Sequence, residues 1–175
     1  MDYKKKYLKY KNKYLSLINK KLGNKMSGGG VEIDYDKNNI DFKKFLNKLE
    51  AIKTTKNNEN ILLVTYMEDC VFCKEMFLKN KTGKSIFSKL IDKSEKDTVY
   101  CMNGEKYFNA INALGIDLLG FPTIYKIGKS ENKQEMKEVT VDDTKYKVDF
   151  NGLKITTYNG NRTVKDLEDF RKASI

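Results

Sequence analysis

Cys70 and Cys73 stand two residues apart in the stretch "EDCVFCKE" of a 175-residue chain that contains three cysteines and no histidine. A thiol pair at this spacing can exchange with a disulfide, one sulfur attacking and the other resolving the mixed disulfide. It can also clip a metal ion, or be two inert buried thiols. A structural zinc site usually needs four sulfur or imidazole ligands. One chain offers three sulfurs and no imidazole, so zinc survives only if two chains share it or carboxylates complete the shell. The redox pair and the buried pair stay open on spacing alone.

A redox pair needs an element that aims it. The two cysteines directly follow "ILLVTYM", a buried-strand pattern, and open "CKEMFLKN", a helix pattern. A helix start presents unpaired N–H groups and the positive end of the dipole. A thiolate at Cys70 is favoured there, with Cys73 one turn on. Cys101, in "DTVYCM", reads as a core thiol on a strand. The one proline of the chain, Pro122, precedes a further strand pattern in "GFPTIYKI". Proline is tolerated at the start of a strand, and a cis Phe121–Pro122 bond would fit a tight turn there.

Other segments complete an alternating pattern. "DFKKFLNKLEAI" puts Phe42, Phe45, Leu46, Leu49 and Ile52 on one helical face, with Asp41 a plausible cap. "KSIFSKLID", "EKYFNAINAL" and "TVKDLEDFRKA" read as helices, the second stopped by Gly115. The third is capped by Thr163, with Val164, Leu167 and Phe170 inward. "KEVTVDDTKYKVDFNGLKITTY" holds further short strands. The order predicts an α/β fold, a central mixed sheet flanked by helices.

Charge divides the chain. Residues 1–30 hold nine lysines and one aspartate, while the whole chain carries +10. This segment spaces Tyr3, Tyr7, Tyr10, Tyr14 and Leu17 along one stripe and ends in a Gly-rich linker, so the domains are 1–30 and 31–175. The first reads as a solvated basic helix or arm, or as an adaptor for an acidic protein or nucleic acid. The longest apolar run is too short to span a bilayer, and no secretory signal is visible.

"ILLVTYMEDCVFCK", "GFPTIYKI" and "YNGNRTVKDLEDF" resemble, in order, the strand–CxxC–helix, the cis-proline turn and the last strand and helix of the thioredoxin superfamily, over roughly residues 40–173. "YNGNR" is closer to the domains of protein disulfide isomerases. The resemblance implies a thioredoxin-like fold and thiol–disulfide oxidoreductase activity, with Cys70 as nucleophile and Cys73 as resolver. It implies that Phe121 and Pro122 offer backbone to a substrate peptide and that Arg162 approaches the resolving cysteine. No cofactor is implied beyond the Cys70–Cys73 pair, and no metal. The leader "YKKKYLKYKNKYL" resembles one found on several giant-virus (mimivirus-type) proteins, which implies a virion or host-cytoplasm setting. The alternative is a non-catalytic virion component on the same fold, tethered by its basic arm.

The chain departs from the family pattern in several places. Asp69 replaces the usual tryptophan, and with Glu68 it would disfavour the thiolate against the helix dipole and Lys74. Val71 and Phe72 lie between the cysteines; Phe72 is an exposed hydrophobe, either a cover for the site or an apolar platform for unfolded clients. Val64 falls where many members bury a proton-relaying carboxylate. An insertion at about 128–154 lengthens the path between the last two family strands and could form a hairpin.

Overall fold

The computed structural model describes residues 42–55, 59–79, 83–94, 98–116, 118, 120–131, 136–141 and 144–175. The basic segment 1–30 and Asp41 lie outside the described residues. The described part is α/β, with a mixed sheet between two layers of helices.

Chain order begins with helix α1 (Phe42–Thr54), which buries Phe42, Phe45, Leu49 and Ile52 at helical spacing. Strand β1 (Ile61–Tyr66) follows, and all six of its residues are buried. A strand covered on both faces reads as one continuous apolar run rather than an alternation, which accounts for "ILLVTY". Next come α2 (Val71–Phe77) and α3 (Ile86–Lys93). Ser85 and Ser88 close a reciprocal capping box at the start of α3. Strand β2 (Val99–Asn103) leads into α4 (Phe108–Ala113). Gly115 ends α4 with φ +70, a conformation that glycine adopts without a side-chain penalty. Strand β3 (Thr123–Lys129) follows, then β4 (Lys137–Val141), β5 (Thr144–Val148), β6 (Leu153–Thr157) and α5 (Val164–Lys172). Thr163 caps α5 by accepting from the Asp166 amide.

The four-stranded sheet has the order β2-β1-β3-β6. β1 pairs parallel with β2 and antiparallel with β3, and β3 pairs antiparallel with β6. β3 runs to Lys129 and β6 begins at Leu153. Between these two strands in the chain, β4 and β5 pair antiparallel as a separate two-stranded sheet.

Two apolar clusters fill the two faces. On one, α1, α4 and the β4–β5 pair pack on Ile61, Leu63, Tyr125 and Ile127. On the other, α2, α3 and α5 pack on Leu62, Val64, Cys101 and Ile124. Of the inward residues expected on α5, Leu167 is fully buried, while Val164 and Phe170 are partly buried against the same cluster. The tail of α5 is bound to the sheet. Asn60 Nδ2 donates to the carbonyls of Arg171 at 2.7 Å and Ala173 at 3.0 Å, and Lys126 Nζ donates to those of Ala173 at 3.0 Å and Ser174 at 3.2 Å. Among the described residues no helix is long and apolar enough to cross a membrane.

Candidate active site

β1 ends at Tyr66, and the chain turns through Met67 to Asp69 to deliver Cys70 to the N-cap of α2. Cys70 has extended backbone angles, φ −81 and ψ 116, as an N-cap does. Its Sγ accepts from the Cys73 amide at 3.4 Å, so the sulfur takes the place of a capping oxygen. The same thiol donates to the carbonyl of Phe121 at 3.3 Å. Cys70 is 8% exposed, Cys73 is fully buried, and all three cysteines are thiols rather than disulfides.

The electrostatics of the two sulfurs diverge. A hydrogen bond from the Cys73 side chain lowers the Cys70 pKa to about 6 against the opposing effect of burial, helped by the amides of Cys73 and Phe72 and by the charge of Arg162. Cys73 moves the other way, pushed well above the ordinary thiol range by its hydrogen bond to Cys70 and by burial. One proton is thus shared within a tight pair, leaving an acidic outer sulfur and a protonated inner one. Glu68 and Asp69, expected to oppose the thiolate, are not among the groups that shift Cys70, where the opposing effect is burial. Lys74 is half-buried on α2, and Asp69 is exposed. The charged side chain that bears on both sulfurs is Arg162, from the far end of the chain.

The Phe121–Pro122 bond is cis. Pro122 is buried and Phe121 half-buried. Both carbonyls of this turn are engaged, Phe121 O by the Cys70 thiol and Pro122 O by Arg162 Nη2 at 3.4 Å. Phe72 is 50% exposed beside the pair. Cys70, Phe121, Pro122 and Arg162 therefore meet at one place. A groove of about 650 Å³ adjoins them, lined by the turn, by Tyr125, Ile155 and Thr157 of the sheet, and by the Tyr158–Arg162 loop. Cys101 is fully buried on β2, in register with Val64 of β1. Among the described residues no cluster of three or more potential metal ligands occurs.

Sequence reasoning missed the loop that follows β2. The Gly104 amide donates to Tyr66 O at 2.7 Å, and Asn103 Nδ2 donates to Glu68 Oε1 at 3.3 Å. Asn103 Oδ1 also accepts from the amides of Glu105 and Lys106, an Asx turn. "NGE" announces a turn, and nothing in it announces contact with the cysteine loop. The chain matches no protein-family model and no curated protein sequence.

Proposed function

We propose that this chain is a thiol–disulfide oxidoreductase with a thioredoxin-like fold, Cys70 exchanging and Cys73 resolving. The observation that carries the reading is the opposed state of the two sulfurs. Cys70 caps a helix and is acidic at about 6, while Cys73, one turn deeper, is fully buried and held protonated. Exchange needs a thiolate that forms near neutral pH and a second thiol that waits. The sheet order, the pair at the end of the parallel-paired β1 and the prolyl turn opening β3 support the thioredoxin-like assignment.

The Cys70 thiolate attacks one sulfur of a client disulfide. That bond breaks, a Cys70–client disulfide forms, and the leaving thiolate takes a proton from water. Cys70 is then neutral, so its negative charge no longer holds the Cys73 proton, while Arg162 continues to favour the Cys73 thiolate. Cys73 loses its proton to water and attacks Cys70 Sγ. The intramolecular disulfide forms and the second client thiolate departs. Two electrons pass from the protein dithiol to the client; the reverse sequence oxidises a client dithiol.

Clients on this reading are protein disulfides or dithiols. Phe72 and the Phe121–Pro122 turn offer them an apolar contact and backbone groups. Residues 1–30 act as a tether to acidic protein or nucleic acid, and the likeness of the leader to giant-virus segments supports a virion or host-cytoplasm setting. The test is Cys73→Ser, which should accumulate client-linked adducts through Cys70 on non-reducing gels. If the unaltered protein neither reduces nor oxidises a small disulfide, and Cys70 alkylates no faster than an unfolded thiol at neutral pH, the reading is wrong.

A further inference from the structure

We infer that Gly104 is a positioning residue for Cys70, acting through the ring of Phe121. A Cβ at position 104 would lie 2.1 Å from Phe121 Cε1 and 2.3 Å from Cζ, far inside contact distance. The edge of the ring therefore occupies the volume that any side chain at 104 would need. Gly104 does not have a positive φ, unlike Gly83, Gly115 and Gly152, so its backbone conformation does not call for glycine. Space for the ring is what position 104 supplies.

Gly104 cannot retreat to make that space in another way. Its amide is bound to Tyr66 O at 2.7 Å, and the preceding Asn103 is in register with Tyr66 across the β1–β2 pair. Tyr66 is also the last residue of the strand that delivers Cys70. The ring of Phe121 is thus seated on a point of the β2–α4 loop that is bonded to the end of β1, and its carbonyl meets the Cys70 thiol at 3.3 Å. Two contacts join these segments: ring on Gly104, and carbonyl on sulfur. An alanine at 104 removes the first and frees the carbonyl from the second. Room for the evicted ring exists in the adjoining groove, which Phe121 lines.

The inference rests on the redox reading for its catalytic consequence, and its direct readout is independent of it. A carbonyl oxygen accepts from the thiol and repels the thiolate, so its withdrawal favours ionisation. Gly104→Ala, Phe121→Ala and the double variant are made in the full chain, and iodoacetamide labelling of Cys70 is followed against pH by peptide mass spectrometry. The midpoint is expected to fall by about 0.5 pH units or more in each single variant, and no further in the double variant. Exchange with a small disulfide is expected to slow about 10-fold or more in Gly104→Ala through lost aim. An unchanged midpoint in Gly104→Ala, or shifts that add in the double variant, would overturn the inference. Should Gly104→Ala fail to fold, Phe121→Ala alone decides, and an unmoved midpoint there overturns it. A protein that exchanges no disulfides sinks the redox reading and leaves the midpoint series to be judged on its own.

Discussion

The thiol of Cys70 donates to the backbone carbonyl of Phe121 at 3.3 Å across 51 residues of chain, while its acidity comes from donors within three residues of it. Local donors thus dominate the ionisation, Arg162 adds to them from the far end of the chain, and tertiary structure sets the orientation. The rate of Cys70 alkylation should rise through a midpoint of about 6 and level off above it. As pH falls through that value the thiolate is protonated and the rate is lost. Peptide-resolved labelling across pH checks this; a midpoint near the ordinary thiol value, about 8.5, contradicts it.

Arg162 is exposed, so its effect on the sulfurs is open to screening. Arg162→Met should raise the Cys70 midpoint by about 0.2–0.5 pH units. Added salt should produce a similar rise in the unaltered protein and little change in the variant. A salt response that survives in Arg162→Met would assign the field to another group.

Glu168 of α5 ties its own helix to the C-cap of α3. Ser94 Oγ donates to it, Arg171 Nε lies 3.3 Å away, and Lys172 Nζ lies 3.2 Å away. Burial pushes its carboxyl pKa up, and these donors outweigh burial, so the net shift is downward. The stabilisation is complete above the ordinary carboxylate value and is lost as pH falls through the lower folded value. Glu168→Gln leaves the guanidinium of Arg171, in a residue 4% exposed, without its carboxylate and should cost about 3 kcal/mol. Urea titrations at neutral and acidic pH read both effects: the gap between variant and parent should narrow in acid.

Removal of residues 1–30 should leave the Cys70 midpoint and the exchange rate unchanged. It should abolish any salt-sensitive retention on a polyanion such as heparin, since that segment carries nearly all of the excess positive charge. Unchanged retention would remove the tether reading, and a lost exchange rate would move the domain boundary.

The sequence predicted those elements whose pattern is local. Phe42, Phe45, Leu49 and Ile52 announce α1 by spacing, and the apolar run of β1 announces a strand covered on both faces. Gly115 marks the end of α4. Cys70, Phe121, Pro122 and Arg162 stand at motif positions in the sequence, and they meet in space. The electrostatic partners were less legible. Glu68, Asp69 and Lys74 adjoin the cysteines in sequence, yet the charge that bears on both sulfurs is Arg162, which only a motif position and no local pattern points to. The contact of Gly104 with Phe121 depends on the register of β1 with β2 and of β1 with β3 together, which no single stretch encodes.

The fifth helix is fastened at both ends. Ahead of its first turn Arg162 grips Pro122 O; behind its last, Asn60 and Lys126 hold its final carbonyls. Lys126 lies over the ring of Phe170, and burial lowers its pKa. Such a helix behaves as a strut between two brackets, unable to slide without releasing one of them. Loosening the bracket at Asn60, at the opposite end of β1 from Cys70, would therefore reach the guanidinium beside the sulfurs as mechanical slack.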